Sequence, residues 1–168
     1  LRRGISPDTF TYNSLIHGFC KHDRLDEAKR IFNLMASKGC SADVVTFNSL
    51  IEGCCRAKKV GDGMELLHEM SRRGFVADTI TYSILIHGFC QAGDLNAAQD
   101  LFQEMISHGV EPDVQTHNIL ISGFVKEEEF LRAEELYSEM LRKGISPDTF
   151  TYSSMIHGLC KQTRLDEA

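Results

Sequence analysis

A side chain able both to donate and to accept a hydrogen bond returns at one register in this 168-residue chain: Asn13, Asn48, Ser83, Asn118 and Ser153, each 35 residues from the last. A carboxylate follows the first four of them after 30 residues, as Asp43, Asp78, Asp113 and Asp148. An amide offers N–H donors and a carbonyl acceptor, a hydroxyl plays either part, and an ionised carboxylate only accepts. A lone Asn on a helix is most often simply solvated; three Asn and two Ser at one register weigh against that here.

Two further rows keep the same period. Three residues before each amide or hydroxyl stand Phe10, Val45, Ile80, Gln115 and Phe150, apolar except for Gln115. Eight residues after it stand Lys21, Arg56, Gln91, Lys126 and Lys161, cationic except for Gln91. Near a helix end such cations complement the dipole, so their spacing alone leaves open whether they also meet an anion. His17, His87 and His157 form a partial fourth row. Neighbouring packed helices lie ~10 Å apart, too far for histidines one repeat apart to share a zinc ion, so no metal site is expected.

What positions these rows is a 35-residue repeat: 9–43, 44–78, 79–113, 114–148 and a partial 149–168, with 1–8 as the tail of a preceding repeat. TFTYNSLIHGFCKHDRLDEA and TFTYSSMIHGLCKQTRLDEA, the starts of the first and fifth, match at 15 of 20 positions. Each repeat reads as two helices. Positions 4, 7, 8 and 11 of the first (Tyr12, Leu15, Ile16 and Phe19) are apolar on one face, with positions 2, 5, 9 and 13 opposite. Leu25, Ala28, Ile31, Phe32 and Met35 give the second helix its stripe after a polar break at 22–24. Asp26 and Glu27 suit its N-terminal dipole. Gly39, Gly74, Gly109 and Gly144 are helix stops, and Pro7, Pro112 and Pro147 precede the next start. Gly18, Gly53, Gly88, Gly123 and Gly158, with mostly Ala at position 20, are expected to let the paired helices of a repeat approach closely. Gly63 replaces that Ala in the second repeat, at an expected ~1 kcal/mol to its helix.

One helical hairpin cannot bury both its apolar faces, so neighbours must stack. The fold expected is all-α: an α-solenoid, a right-handed superhelix of 35-residue helix-turn-helix units. The partial fifth repeat leaves an apolar edge through which self-association is expected. Composition agrees with a folded chain: 42% hydrophobic, 25% charged, net charge −6. No apolar run approaches the ~20 residues of a membrane span, so no membrane partner is expected. Cys20, Cys55, Cys90 and Cys160 are one repeat position copied, with no CxxC pair, and read as small buried thiols in a reducing compartment.

The pattern TYNSLIHGFCKxxRLDEAxxIFxxMxxKGxxxD resembles the pentatricopeptide repeat of the pure 35-residue P class, over residues 9–168. HGFCK, RLDEA and LFQEM look most like its restorer-of-fertility-like branch in plants. The related tetratricopeptide repeat has period 34 and a Trp near its start, and this chain has no Trp. The resemblance implies single-stranded RNA binding at one base per repeat, which a ladder of inner-face residues suits geometrically. It makes Asn13 with Asp43, Asn48 with Asp78, Ser83 with Asp113, and Asn118 with Asp148 the base-reading pairs. In the family's code Asn–Asp favours U and Ser–Asp favours G, so the four complete repeats would read 5′-U-U-G-U-3′, and Ser153 would open another purine-preferring repeat.

By the same resemblance Phe10, Val45, Ile80, Gln115 and Phe150 wedge against bases, and Lys21, Arg56, Lys126 and Lys161 meet phosphates. Gln115 and the run KEEE (126–129) make the fourth repeat the weakest. The net charge opposes nucleic-acid binding, since binders carry a basic footprint. Much of the acid (Asp26, Glu27, Glu65, Glu69, Asp100, Glu104, Glu135 and Glu139) is expected on the outer side, and binding should be micromolar at best and salt-sensitive. The branch implies a mitochondrial location ahead of a chloroplast one, with a role in organellar RNA processing, stability or cleavage and a nuclease or other processing protein as partner. No catalytic residue or cofactor is assigned: neither a deaminase HxE with CxxC nor a nucleophilic triad is present. The alternative is a tetratricopeptide-like protein-interaction scaffold, which has no reason to keep Asn or Ser with Asp at these two positions.

Overall fold

The computed structural model describes residues 7–166, and side chains as far as 162; most of the tail at 1–8 and the end of the RLDEA stretch at 164–168 lie outside the described residues. The described residues form α-helices and no strand, in the order α1 (Thr9–Lys21), α2 (Leu25–Ser37), α3 (Val44–Arg56), α4 (Val60–Arg72), α5 (Thr79–Ala92), α6 (Leu95–Ser107), α7 (Val114–Lys126), α8 (Phe130–Arg142) and α9 (Thr149–Asp166). Each complete repeat is thus a pair of helices, as its two apolar stripes require. None is long and apolar enough to cross a membrane. The chain divides into two halves, 1–88 and 89–168, with α5 running across the division.

In the first half α1 pairs with α2 and α3 with α4, and α3 packs against both α1 and α2. Tyr12, Ile16, Leu25, Ala28 and Met35 build a core with Leu50 and Cys54 of the next repeat, so the stripes are closed by stacking. In the second half α7 pairs with α8 and packs against α6 and α9, over Phe102, Leu120, Ile121, Phe124 and Met140.

The glycine stops form as the sequence requires. Gly39, Gly74, Gly109 and Gly144 have φ of 71–80°. At the first, Cys40 N–H reaches Met35 O and Gly39 N–H reaches Ala36 O, each at 3.1 Å, the closure that only a left-handed residue allows. The breaks inside the repeats use the same turn with Asp23, Lys58, Gly93 and Glu128, at φ of 58, 57, 79 and 64°. Three of these four are not glycine, and a side chain in that region costs roughly 1–2 kcal/mol.

Four expectations need correction. The position-10 glycines do not bring the two helices of one repeat together. A Cβ on Gly53 would sit 2.5 Å from Cys20 Sγ and one on Gly88 2.6 Å from Cys55 Sγ. The close approach is therefore between first helices of successive repeats, glycine against the thiol. Gly18, which faces no such thiol, has nothing within 4 Å of its Cβ position. Second, the apolar face is not buried everywhere: Leu15 in α1, and Tyr152, Ile156 and Leu159 in α9, are exposed because no described helix covers them. Third, the thiols differ. Cys20, Cys54 and Cys90 are buried, Cys40 and Cys55 half-buried and Cys160 exposed. Burial pushes the Cys20 thiol up to about 11, and Cys55 and Cys90 up to about 12. Fourth, α9 continues through 162–164, where the repeat register places a break; no described second helix packs back there to stabilise a turn.

Candidate nucleic-acid interface

In the first, second and fourth repeats position 5 meets position 35 because the chain, after its second helix, returns to start the next first helix alongside. Asn13 lies on α1, and Asp43 caps α3. Asn13 Nδ2 donates to Asp43 Oδ1 and Oδ2 at 3.0 and 3.2 Å. Asn48 Nδ2 donates to Asp78 Oδ1 at 3.4 Å, and Asn118 Nδ2 to Asp148 Oδ1 at 3.0 Å. Ser83 is half-buried on α5 and Asp113 caps α7, accepting from Thr116 N–H at 2.8 Å. Ser153 lies exposed on α9.

A third residue, which reading the sequence for recognition chemistry missed, completes each Asn site. Thr46, Thr81 and Thr151 stand at position 3 of the following repeat and are fully buried. Thr46 Oγ1 lies 2.6 Å from Asn13 Oδ1, Thr81 Oγ1 2.7 Å from Asn48 Oδ1, and Thr151 Oγ1 2.6 Å from Asn118 Oδ1. The same hydroxyls lie 2.9, 2.9 and 3.0 Å from Oδ1 of Asp43, Asp78 and Asp148; each has one proton, and the closer approach to the amide oxygen marks that oxygen as its acceptor. Each hydroxyl also accepts the aspartate's own N–H, at 3.1, 3.3 and 3.1 Å. The signal was available: Thr11, Thr46, Thr81, Thr116 and Thr151 repeat without exception.

The aspartates carry two tasks at once. Asp43 Oδ1 accepts Thr46 N–H at 2.9 Å, making Asp43 the N-cap of α3 within a reciprocal capping box. Partial burial pushes its carboxyl up, but the Thr46 N–H and the Asn13 amide together hold it below its ordinary value. Asp148 is likewise held low, first by its bond from the Thr151 backbone and then by the Asn118 amide. Each Asn has spent one N–H on Asp and one lone pair on Thr. It keeps one N–H and one lone pair for a ligand.

Beside these sites the position-2 side chains stand out from the core: Phe10 is 78% exposed, Val45 58%, Ile80 60% and Phe150 55%. Gln115 is exposed as well.

The sequence profile of the PPR repeat family matches residues 7–56, 42–91, 78–126 and 118–161. The chain belongs to the PPR repeat family. Among solved structures, it is similar to the pentatricopeptide repeat protein PPR10 in complex with an 18-nt psaJ RNA element, with 28% identity and a TM-score of 0.88, covering 99% of this chain. A second structure, of the pentatricopeptide repeat protein PPR10 from maize, gives a TM-score of 0.85 at the same identity. The PPR domain of Arabidopsis thaliana protein-only RNase P 1, in complex with tRNA, shares the fold at 16% identity and TM-score 0.74, over 94% of this chain and 83% of that one. The chain spans 24% of the length of PPR10. No curated protein matches the sequence.

In this PPR chain Lys21, Arg56 and Lys126 lie in the last turns of their first helices and Lys161 lies within the longer α9, and the side chains of Arg56, Lys126 and Lys161 are already engaged. Arg56 Nε is 3.4 Å from Asp23 Oδ1, and its Nη2 donates to Lys21 O at 3.3 Å. Lys126 Nζ is 3.4 Å from Glu127 and Lys161 Nζ 3.9 Å from Glu128. Such exposed pairs are worth well under about 1 kcal/mol, so they do not bar exchange for a phosphate. Lys21 is exposed in the last turn of α1. His17, His87 and His157 are exposed, and the described residues hold no metal-binding group of three or more ligands.

Proposed function

We propose that the chain reads single-stranded RNA, one base per repeat, with Asn13–Asp43, Asn48–Asp78, Ser83–Asp113 and Asn118–Asp148 selecting 5′-U-U-G-U-3′. The observation that carries this reading is the recurrent Asn–Asp contact, which leaves one donor and one acceptor free on every Asn and so suits the mixed pattern of a uracil edge. The exposed row of Phe10, Val45, Ile80 and Phe150 supports base packing beside each site, worth about 1–3 kcal/mol per base on a stacking surface. The RNA held by PPR10, similar over nearly the whole chain, supports RNA as the ligand class.

Within the longer protein this array would supply recognition, and an RNA-processing partner such as a nuclease would supply chemistry. The restorer-of-fertility-like wording of HGFCK and RLDEA supports a mitochondrial transcript as target. Fluorescence anisotropy at low salt tests the reading, with probes carrying UUGU, UUAU or CCGC. Preference for UUGU is expected, and Ser83→Asn should move the third base from G toward U. Equal binding of all three probes would refute the code, and binding to none by folded protein would favour a protein ligand.

A further inference from the structure

We infer that Thr46, Thr81 and Thr151 decide between U and C at the first, second and fourth bases, by fixing the amide of the Asn in the repeat before them; the inference rests on the base-reading assignment above. An Asn amide is nearly symmetric in shape but opposite in chemistry at its two ends. Uracil presents an N–H flanked by carbonyls, whereas cytosine presents a ring nitrogen acceptor beside an amino donor. An amide turned over by 180° therefore exchanges the pattern that fits uracil for one that fits cytosine. Discrimination requires that the amide be held one way round.

Two contacts hold it. The carboxylate only accepts and so draws Nδ2, and the hydroxyl proton draws Oδ1. Their balance differs between sites. At Asn13 the aspartate contacts are 3.0 and 3.2 Å and the threonine contact 2.6 Å. At Asn48 the aspartate contact lengthens to 3.4 Å while the threonine contact stays at 2.7 Å. The second site thus depends chiefly on Thr81, a fully buried side chain with no RNA-facing surface of its own. Thr81 is a positioning residue, acting on a base read by the repeat before it.

The test uses the whole chain with Thr81→Val, which keeps shape and loses the hydroxyl, and Thr81→Ser, which keeps the hydroxyl. Anisotropy with UUGU, UCGU and CUGU probes gives the U-to-C ratio at each base, and thermal melting by circular dichroism reports folding. Wild-type protein should prefer U at base two by roughly five- to tenfold, the yield of one good hydrogen bond. Thr81→Val should bring that ratio to about twofold or less while base one keeps its preference, and Thr81→Ser should restore it. Thr46→Val should relax base one by a smaller factor, because Asp43 still holds Asn13.

Equal weakening of U and C probes with the ratio intact would mark a merely structural hydroxyl and overturn the inference, leaving the base-reading assignment standing. Wild-type protein without a U preference at base two would overturn the assignment itself. If Thr81→Val melts below the assay temperature, Thr151→Val and the U-to-C ratio at base four decide the question by the same criterion.

Discussion

Replacing Gly53 with alanine would build a Cβ 2.5 Å from Sγ and 3.0 Å from Cβ of Cys20, and 3.3 Å from Cδ1 of Leu25. Non-bonded carbon contacts favour about 3.5–4.0 Å, so α3 would have to retreat from α1 or the thiol would have to turn. The thiol has nowhere to go, since Cys20 is only 2% exposed. Adding a methyl to a packed core costs about 1–3 kcal/mol, against about 1 kcal/mol gained by removing glycine from a helix. Gly53→Ala should therefore lose up to about 2 kcal/mol. Gly18→Ala, at the same register in α1 but with nothing within 4 Å, should gain up to about 1 kcal/mol. Urea unfolding of the two variants by far-ultraviolet circular dichroism measures the difference. Cys20→Ala removes the 2.5 Å contact but leaves the one at 3.0 Å, so combined with Gly53→Ala it should recover part of the loss as a coupling energy. Equal stability of Gly18→Ala and Gly53→Ala, or strict additivity of Cys20→Ala with Gly53→Ala, would refute the close approach of successive first helices.

Glu128 sits at φ 64° in a turn that the third repeat makes with Gly93, so Glu128→Gly should raise stability by about 1 kcal/mol in the same unfolding assay. Asp43 and Asp148 have folded carboxyls held below their unfolded range; their contribution is present above about pH 4 and lost as pH falls through the lowered value. Melting temperature should drop on acidification below about pH 4, and less steeply in Asp43→Asn. A profile unchanged by Asp43→Asn would count against that carboxylate.

Periodicity alone located every complete helical pair, because apolar spacing of three and four residues leaves little choice of face. It also placed the glycine stops, whose φ > 0 few other residues tolerate. It misjudged the position-10 glycines because a repeated small residue says that something comes close, not what. Only the pairing of Gly53 with Cys20 and of Gly88 with Cys55 shows that the neighbour is the preceding repeat. The same reason hid Thr46, Thr81 and Thr151 from the candidate site. Threonine at the third position of a helix reads as an ordinary capping residue, and nothing local reveals an amide 33 residues earlier.

Those threonines and aspartates tie the proposed recognition sites to stacking. Asp43 ends the linker, caps α3 and braces Asn13, and the hydroxyl of Thr46 serves the Asp43 N–H and the Asn13 carbonyl together. The α3 cap and the proposed base-reading site thus share Asp43 and Thr46. The Asn13 site contains atoms from two repeats, as does the Asn118 site through Thr151 of the fifth. Each proposed reading site of this kind is therefore complete only when the next repeat has docked. Stacking, driven by Ile, Leu and Met burial, fixes the direction of each free N–H and lone pair before any ligand arrives. Preorganisation of this kind lowers the ordering cost of binding. It also accounts for how a chain of net charge −6 could be selective without being strongly attractive: the core, not the electrostatic field, sets the geometry of the contacts.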